Sequence, residues 1–208
     1  MRFTGPMTRP DLLARAAELA SGPRRLLGLA GAPGAGKSTL AAALAAGVPG
    51  AMVVPMDGFH LTTQRLRELD AVERRGAPDT FDGAGYVDLM RRLRSATGAV
   101  HAPDFDRSAE EPVPGAIVVP ASVRLVITEG NYLLLDEDPW RDLPAVLDEV
   151  WFVEVPEAVR VDRLVARFRA YGWDESRARE RVQTGSDARN AGIVAATRER
   201  ADRVVRLD

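Results

Sequence analysis

The 208-residue sequence contains no cysteine, which excludes disulfides, thiolate metal sites and a cysteine nucleophile. It also lacks an apolar run followed by a small-residue cleavage site near its start, so we expect no secretory signal and a cytoplasmic location. An uncharged stretch at 38–56 is interrupted by Gly47, Pro49, Gly50 and Pro55. Those breakers favour a helix end followed by a buried strand over a membrane span.

An excess of charge of either sign is missing as well. The 28 basic and 30 acidic residues leave a net charge of −2, which gives no electrostatic footprint for nucleic acid or an anionic membrane. We therefore expect neither as a partner. Homodimers are the commonest oligomers of soluble proteins, so a homodimer stays open.

Lysine is almost absent, because Lys37 is the one lysine among the 28 basic residues. It lies in GAPGAGKS, residues 31–38, which fits G-x-x-x-x-G-K-[ST] and joins a predicted strand to a predicted helix. The backbone N–H groups of such a turn converge on one point, and the helix N-terminus adds its positive dipole. Lys37 can reach the β- and γ-phosphates of ATP, and the Ser38 hydroxyl can ligate Mg²⁺. The residues predicted to bind ATP are Gly31, Ala32, Pro33, Gly34, Ala35, Gly36, Lys37, Ser38 and Thr39.

Apolar strand patterns alternate with helical ones along the chain, which predicts an α/β fold. With the glycine-rich turn, the pattern indicates a P-loop NTPase three-layer sandwich with a five-stranded parallel core sheet flanked by helices. The predicted strands are 24–30, 51–56, 123–129, 149–155 and 202–207. If the third strand carries a metal-site acid, it lies beside the first, and the order is 2-3-1-4-5.

The whole chain, 1–208, is predicted to be a single domain. We expect residues 57–122 to form a substrate-side insertion and residues from about 157 to 190 to form a helical lid. Within the insertion, residues 98–122 contain four prolines and predict a loop or a weak hairpin.

Two carboxylates follow predicted strands: Asp57 comes after AMVVPM and Glu129 after VRLVIT. Ligands in open parallel sheets bind beyond the carboxyl ends of the strands. In a P-loop enzyme one acid helps to hold Mg²⁺, and another can accept the proton of an attacking hydroxyl. We assign Asp57 as the base and Glu129, with Ser38, to the metal. A helix cap or a turn residue is the alternative for each acid.

Five segments resemble the uridine kinase, pantothenate kinase and phosphoribulokinase superfamily, in the expected order. They are GAPGAGKST (31–39), PMDGFHL (55–61), RRGAPDTFD (74–82), PDFDR (103–107) and TEGNYLLL (128–135). The combination is most similar to small bacterial kinases described as nucleoside kinase-like or as fructose transport system kinases.

The resemblance implies that Asp57 is the catalytic base and that Glu129 lies in the metal site. It also implies substrate contacts from Phe59, His60, Asp106 and Arg107, with Tyr132 as a further candidate for the pocket lining. Phe105 stands where many relatives have tyrosine, so the hydrogen bond of that phenol is missing here. His60 could instead be a capping residue and Tyr132 a core residue.

The segment 157–171 places arginines 160, 163 and 167 on one face of a predicted helix. In P-loop kinases a lid supplies arginines that stabilise the transferring phosphoryl group, and the resemblance assigns this role to Arg163 and Arg167. A solvated charged face is the alternative. Arg177, Arg179 and Arg181 are interpreted as surface charge.

Together these features predict an ATP-dependent phosphotransferase that acts on a hydroxyl of a small metabolite, such as a nucleoside, pantothenate or a sugar like fructose. The alternative is an ATP-hydrolysing regulatory switch with a protein partner. A GTP-type switch is excluded, because the guanine-reading N-K-x-D segment needs a second lysine.

Overall fold

The computed structural model describes residues 9–207, so residues 1–8 and 208 of the predicted domain lie outside the described part. Its helices are α1 (Arg9–Ala20), α2 (Lys37–Gly47), α3 (Thr63–Glu68), α4 (Gly83–Ser95), α5 (Leu143–Val146), α6 (Glu157–Ala170), α7 (Glu175–Gln183) and α8 (Ser186–Ala195). Its strands are β1 (Arg25–Ala30), β2 (Ala51–Pro55), β3 (Val100–Asp106), β4 (Glu111–Val119), β5 (Leu125–Gly130), β6 (Glu149–Glu154) and β7 (Arg203–Arg206). Between residues 9 and 207, no helix is both long and apolar enough to cross a bilayer.

Five strands form the central sheet in the order β2-β5-β1-β6-β7, and every neighbouring pair is parallel. Counted among the core strands alone, this is the predicted order 2-3-1-4-5. The chain labels differ because β3 and β4 are not part of this sheet. The register places Glu129 opposite Leu29 and Pro55. The carboxyl ends of β1, β2 and β5 therefore meet at one edge.

The core lies on both faces of the sheet, because the central strands β1, β5 and β6 are buried along nearly their whole length. On β1, Leu26 joins the cluster under α4, whereas Leu27 and Leu29 join the cluster under α1 and α2. Both clusters are fully enclosed, and their separation by the sheet confirms the three-layer α/β sandwich.

The start of α2 depends on Gly36, which precedes the helix with φ of 93°. This left-handed backbone is costly for residues with a Cβ and favours glycine. Gly36 has no side chain with which to cap the first N–H groups of α2. These donors therefore remain available to an anion at the sheet edge.

The segment predicted as a loop or weak hairpin is a hairpin, in which β3 and β4 pair in antiparallel fashion. A register shift between Ala102 and Asp104 marks a bulge in this hairpin. The adjacent turn Met56–Phe59 packs tightly on it, since a Cβ on Gly58 would lie 2.5 Å from the Pro103 carbonyl oxygen. The hairpin thus holds the turn that carries Asp57.

Helices α6 and α7 share an apolar cluster of their own, separate from the two that flank the sheet. It consists of Val161, Leu164, Val165, Ala178 and Val182, with Phe168 packed against it. Helix α8 was not predicted from the sequence, because Asn190 and Gly192 weaken its helical pattern.

Candidate active site

A cleft of about 490 Å³ opens at the sheet edge where β1, β2 and β5 end. Among residues 9–207, six cationic side chains and four carboxylates line it, so the cleft is positive although the whole chain is slightly negative. The predicted site residues that it brings together are Pro33, Gly34, Gly36, Lys37, Ser38, Thr39, Asp57, His60, Arg107, Glu129, Arg163 and Arg167.

The Lys37 ammonium is buried inside the glycine-rich turn. Its Nζ donates to the carbonyl oxygens of Gly31 at 2.8 Å and Ala32 at 3.1 Å, and to Asn131 Oδ1 at 2.9 Å. Burial lowers the pKa of Lys37, while the carboxylates of Glu129 and Asp57 oppose that shift. Three acceptors thus hold a compact cation at the head of α2, where the donors of the turn also converge.

Ser38 and Glu129, the two residues predicted to hold the metal, are in contact: Ser38 Oγ donates to Glu129 Oε1 at 2.7 Å. Burial raises the pKa of Glu129, and the nearby Lys37 charge opposes that rise. Within residues 9–207, no group of three or more His, Cys, Asp or Glu could hold a metal ion. A hydroxyl beside one carboxylate still fits Mg²⁺, which completes its coordination with phosphate oxygens and water.

Asp57 also lines the cleft and lies directly after β2. Its Oδ2 accepts a hydrogen bond from Arg107 Nη2 at 2.7 Å, and this ion pair is partly exposed to the cleft. Arg107 comes from the hairpin connection after β3. The carboxylate and the guanidinium, which are 50 residues apart, therefore occupy one place.

His60 is stacked between two aromatic rings, with centroid distances of 4.1 Å to Phe81 and 4.6 Å to Phe105. Its Nδ1 lies 2.8 Å from the Asp57 carbonyl oxygen. Because that oxygen can only accept, Nδ1 carries the proton and Nε2 is the acceptor in the neutral ring. Burial lowers the pKa of His60, and the charges of Arg75 and Arg107 add to that effect against Asp57.

Helix α6 brings Arg163 and Arg167 to the cleft, and a Cβ on Gly36 would lie 3.4 Å from Arg163 Nη1. Arg160, from the same predicted face, is 4% exposed and forms an ion pair with Glu157. Its Nη1 also donates to the Pro33 carbonyl oxygen at 3.4 Å. The arginine face of α6 is therefore divided: Arg163 and Arg167 line the cleft, whereas Arg160 is buried against the glycine-rich turn.

The comparisons with known proteins agree with this geometry. No family model matches the chain. An ATP-dependent kinase-like protein of Aspergillus versicolor is 41% identical over 54% of this chain and 70% of its own length. A Schizosaccharomyces pombe protein provisionally described as a uridine kinase is 38% identical over 76% of this chain and 72% of its own.

A solved structure from Silicibacter, provisionally described as a fructose transport system kinase, is 40% identical. The two structures superpose with a TM-score of 0.87, and the matched region covers 95% of this chain and 98% of the Silicibacter chain. The chain belongs to the uridine kinase-like P-loop kinases. It is a small-molecule kinase that uses ATP, as predicted.

Three of the predicted substrate contacts of the kinase do not line the cleft. The Phe59 ring packs edge-on against Tyr86 at 5.3 Å and joins the core. The Asp106 carboxylate accepts hydrogen bonds from Ser108 and so stabilises its own turn. Tyr132 is buried, and its hydroxyl donates to the Gly76 carbonyl oxygen. In the structure these three side chains support the walls of the site.

The same holds for part of the glycine-rich turn. Gly31 and Ala32 contribute the carbonyl oxygens that bind Lys37, and Ala35 is buried against α2 and its cluster. None of these three is among the residues that line the cleft. Their contribution to ATP binding as individual residues stays a prediction.

Sequence reasoning gave no site role to several residues that line the cleft of the kinase. Arg75 and Asn131 lie in the motif segments 74–82 and 128–135 but received no role, although Asn131 binds Lys37 directly. Arg181 was interpreted as surface charge. That interpretation is wrong, because it lines the cleft and pairs with Asp187 at 3.0 Å. Asn190 also lines the cleft. It belongs to ARNA (188–191), a segment that could approach the adenine but that no spacing in the sequence assigns to this role.

Proposed function

We propose that this kinase transfers the γ-phosphoryl group of Mg-ATP to a hydroxyl of a small metabolite, with Asp57 as the base. The observation that carries the proposal is that one cleft is lined by two chemically different groups of residues. Lys37, Ser38 and Glu129 are suited to phosphates and Mg²⁺. Asp57 pairs with Arg107 and lies beside His60.

Each group has a role that follows from its chemistry. Lys37 and the N–H groups at the head of α2 would hold the β- and γ-phosphates. Mg²⁺, when bound at Ser38 and Glu129, supplies charge neutralisation at the phosphate oxygens. Arg163 and Arg167 would stabilise the charge that spreads over the transferring group.

Asp57 Oδ2 accepts a hydrogen bond from Arg107, which leaves Oδ1 as the oxygen that we assign to accept the proton of the attacking hydroxyl. Because His60 presents an acceptor nitrogen at Nε2, it favours a substrate with a second O–H or N–H donor beside the reacting hydroxyl. Nucleosides, pantothenate and sugars such as fructose all meet this requirement. They are the acceptor classes that we propose.

The test measures ADP formation from Mg-ATP with and without a panel of nucleosides, pantothenate and sugars. We expect stimulation by one acceptor class, and a loss of about 10²–10⁴-fold in Asp57→Asn with retained ATP binding. Asp88→Asn, at an exposed position on α4, is the matched control. Turnover unaffected by every acceptor would favour the ATP-hydrolysing switch, and full transfer by Asp57→Asn would refute the base assignment.

A further inference from the structure

The carbonyl oxygen of Gly76 is a junction of three parts of the molecule. It accepts a hydrogen bond from the Tyr132 hydroxyl, which follows β5, and one from Asn190 Nδ2 of α8 at 3.1 Å. The Gly76 N–H donates to Thr80 Oγ1 at 2.9 Å within the loop 74–82. That loop contributes Arg75 to the wall of the cleft near His60. We call residues 74–82 the acceptor loop.

Helix α8 connects this junction to the arginine-bearing helices. Its Asp187 accepts from Arg181 Nε of α7 at 3.0 Å, and the Arg181 guanidinium lies 5.3 Å from the Phe168 ring of α6. At its other end, Val194 packs into the main core. Helix α8 therefore bridges the α6–α7 cluster and the body of the domain.

Asn190 is buried, with only 5% of the residue exposed. Burying an amide is unfavourable unless it forms hydrogen bonds. Here its Nδ2 donates to the carbonyl oxygen of Gly76, 114 residues away. That bond is the polar link between α8 and the acceptor loop.

We propose that Asn190 is a positioning residue that couples the phosphate-binding arginines of α6 to the acceptor loop; this rests on the proposed function. A triphosphate engages Arg163 and Arg167 on α6, which packs with α7 as one unit. Through α8, Asn190 transmits that restraint to Gly76. Binding of the nucleotide thereby orders residues 74–82 before the acceptor arrives.

The experiment is hydrogen–deuterium exchange of the full chain with and without Mg²⁺ and a non-hydrolysable ATP analogue, with the analogue Kd measured by calorimetry. In the wild type, we expect the analogue to slow exchange in peptides covering 74–82 by about fivefold or more. In Asn190→Ala, the analogue should still bind, within about threefold of the wild-type Kd, but this slowing should disappear.

Three variants keep the result interpretable. Asn190→Asp preserves size and removes the donor, so it should repeat the loss if Asn190→Ala folds poorly. Gln183→Ala removes an exposed amide from α7 and should behave as wild type. Tyr132→Phe should speed exchange in the loop without the analogue yet keep the analogue-dependent slowing, because the Tyr132 hydrogen bond comes from the segment after β5 and not from α8.

Retention of the slowing in both Asn190 variants would overturn the proposal. So would a large loss of analogue affinity in Asn190→Asp, which would make Asn190 a direct nucleotide contact. A wild-type protein that does not bind the analogue would contradict the proposed function itself. Wild-type binding without slower exchange in 74–82 would overturn the coupling alone.

Discussion

At the scale of single residues, the chemistry of the site depends on small differences between similar side chains. Lys37 donates to three oxygen acceptors within a buried turn, whereas the other basic residues of the chain are arginines. A guanidinium is planar and forked, so it cannot place one compact charge among the same three oxygens.

Lys37→Arg should therefore weaken binding of the Mg²⁺–ATP analogue by about tenfold or more, which corresponds to about 1.4 kcal/mol. Calorimetry gives the Kd, and circular dichroism checks that the fold is retained. The reverse exchange at an exposed site, Arg65→Lys, is the control and should leave the Kd unchanged. Equal affinity in Lys37→Arg would mean that the ammonium has no special role.

His60 should make stability depend on pH. The folded protein buries the His60 ring between Phe81 and Phe105, and this burial lowers the pKa of the ring. In the unfolded chain, the ring takes up a proton at its ordinary pKa of about 6.5. Its contribution to the free energy of unfolding is thus complete above about pH 6.5 and is lost as the pH falls through the lower folded-state pKa.

Urea unfolding from pH 8 to pH 5 measures this effect. The free energy of unfolding should fall more steeply in the wild type than in His60→Asn, which has no ring to protonate. His101→Asn, at an exposed position on β3, is the control and should follow the wild type. Parallel curves for wild type and His60→Asn would contradict the inferred neutral state.

At the scale of elements, α6 and the glycine-rich turn are packed against each other. Gly34 has φ of 83°, and a Cβ there would lie 2.9 Å from Leu164 Cγ and 3.0 Å from the Arg160 carbonyl oxygen. Arg160 reaches back to the Pro33 carbonyl oxygen. The helix that carries the proposed phosphoryl-binding arginines is therefore positioned directly by the turn that would hold the phosphates.

Gly34→Ala should lower the free energy of unfolding by about 1–3 kcal/mol, because it adds left-handed strain and displaces α6. Analogue binding should weaken with it. Gly192→Ala in α8, where a Cβ meets nothing within 4 Å, is the matched control. It should stabilise the protein by about 0.5–1 kcal/mol. A neutral Gly34→Ala would show that α6 can move away without cost.

At the scale of the whole molecule, the sheet brings distant segments to one edge. Parallel strands β2, β5 and β1 end side by side, so Asp57, Glu129 and the turn after Ala30 meet in one cleft. The substrate-side role of 57–122 and the lid role of about 157–190 stay predictions, although Arg107 and Arg163 line that cleft from these two regions.

Ligand binding across this cleft should stabilise the entire domain. At a concentration of about 100 times its Kd, a ligand adds about 2.7 kcal/mol, which corresponds to a rise of roughly 5–10 °C in Tm for a domain of this size. We expect the Mg²⁺–ATP analogue to raise the Tm, and the correct acceptor to raise it further. Mg²⁺ removal by EDTA should reduce the shift, and an unchanged Tm would contradict ATP binding.

Much of the fold could be predicted because its signals are local. The predicted strands at 24–30, 51–56 and 123–129 are mostly apolar, and the glycine-rich turn carries its chemistry within eight consecutive residues. Backbone N–H groups, one ammonium and one hydroxyl follow each other directly in that turn. The motif therefore indicated the phosphate site before any tertiary contact was known.

What only the tertiary structure decided are the pairings between distant segments. Asn131 meets Lys37 across 94 residues, Arg107 meets Asp57 across 50, and Asn190 meets Gly76 across 114. Side-chain direction also separated Phe59, which faces the core, from His60, which faces the cleft. Such contacts are set by how strands and helices pack in three dimensions, and no local pattern of residues encodes them.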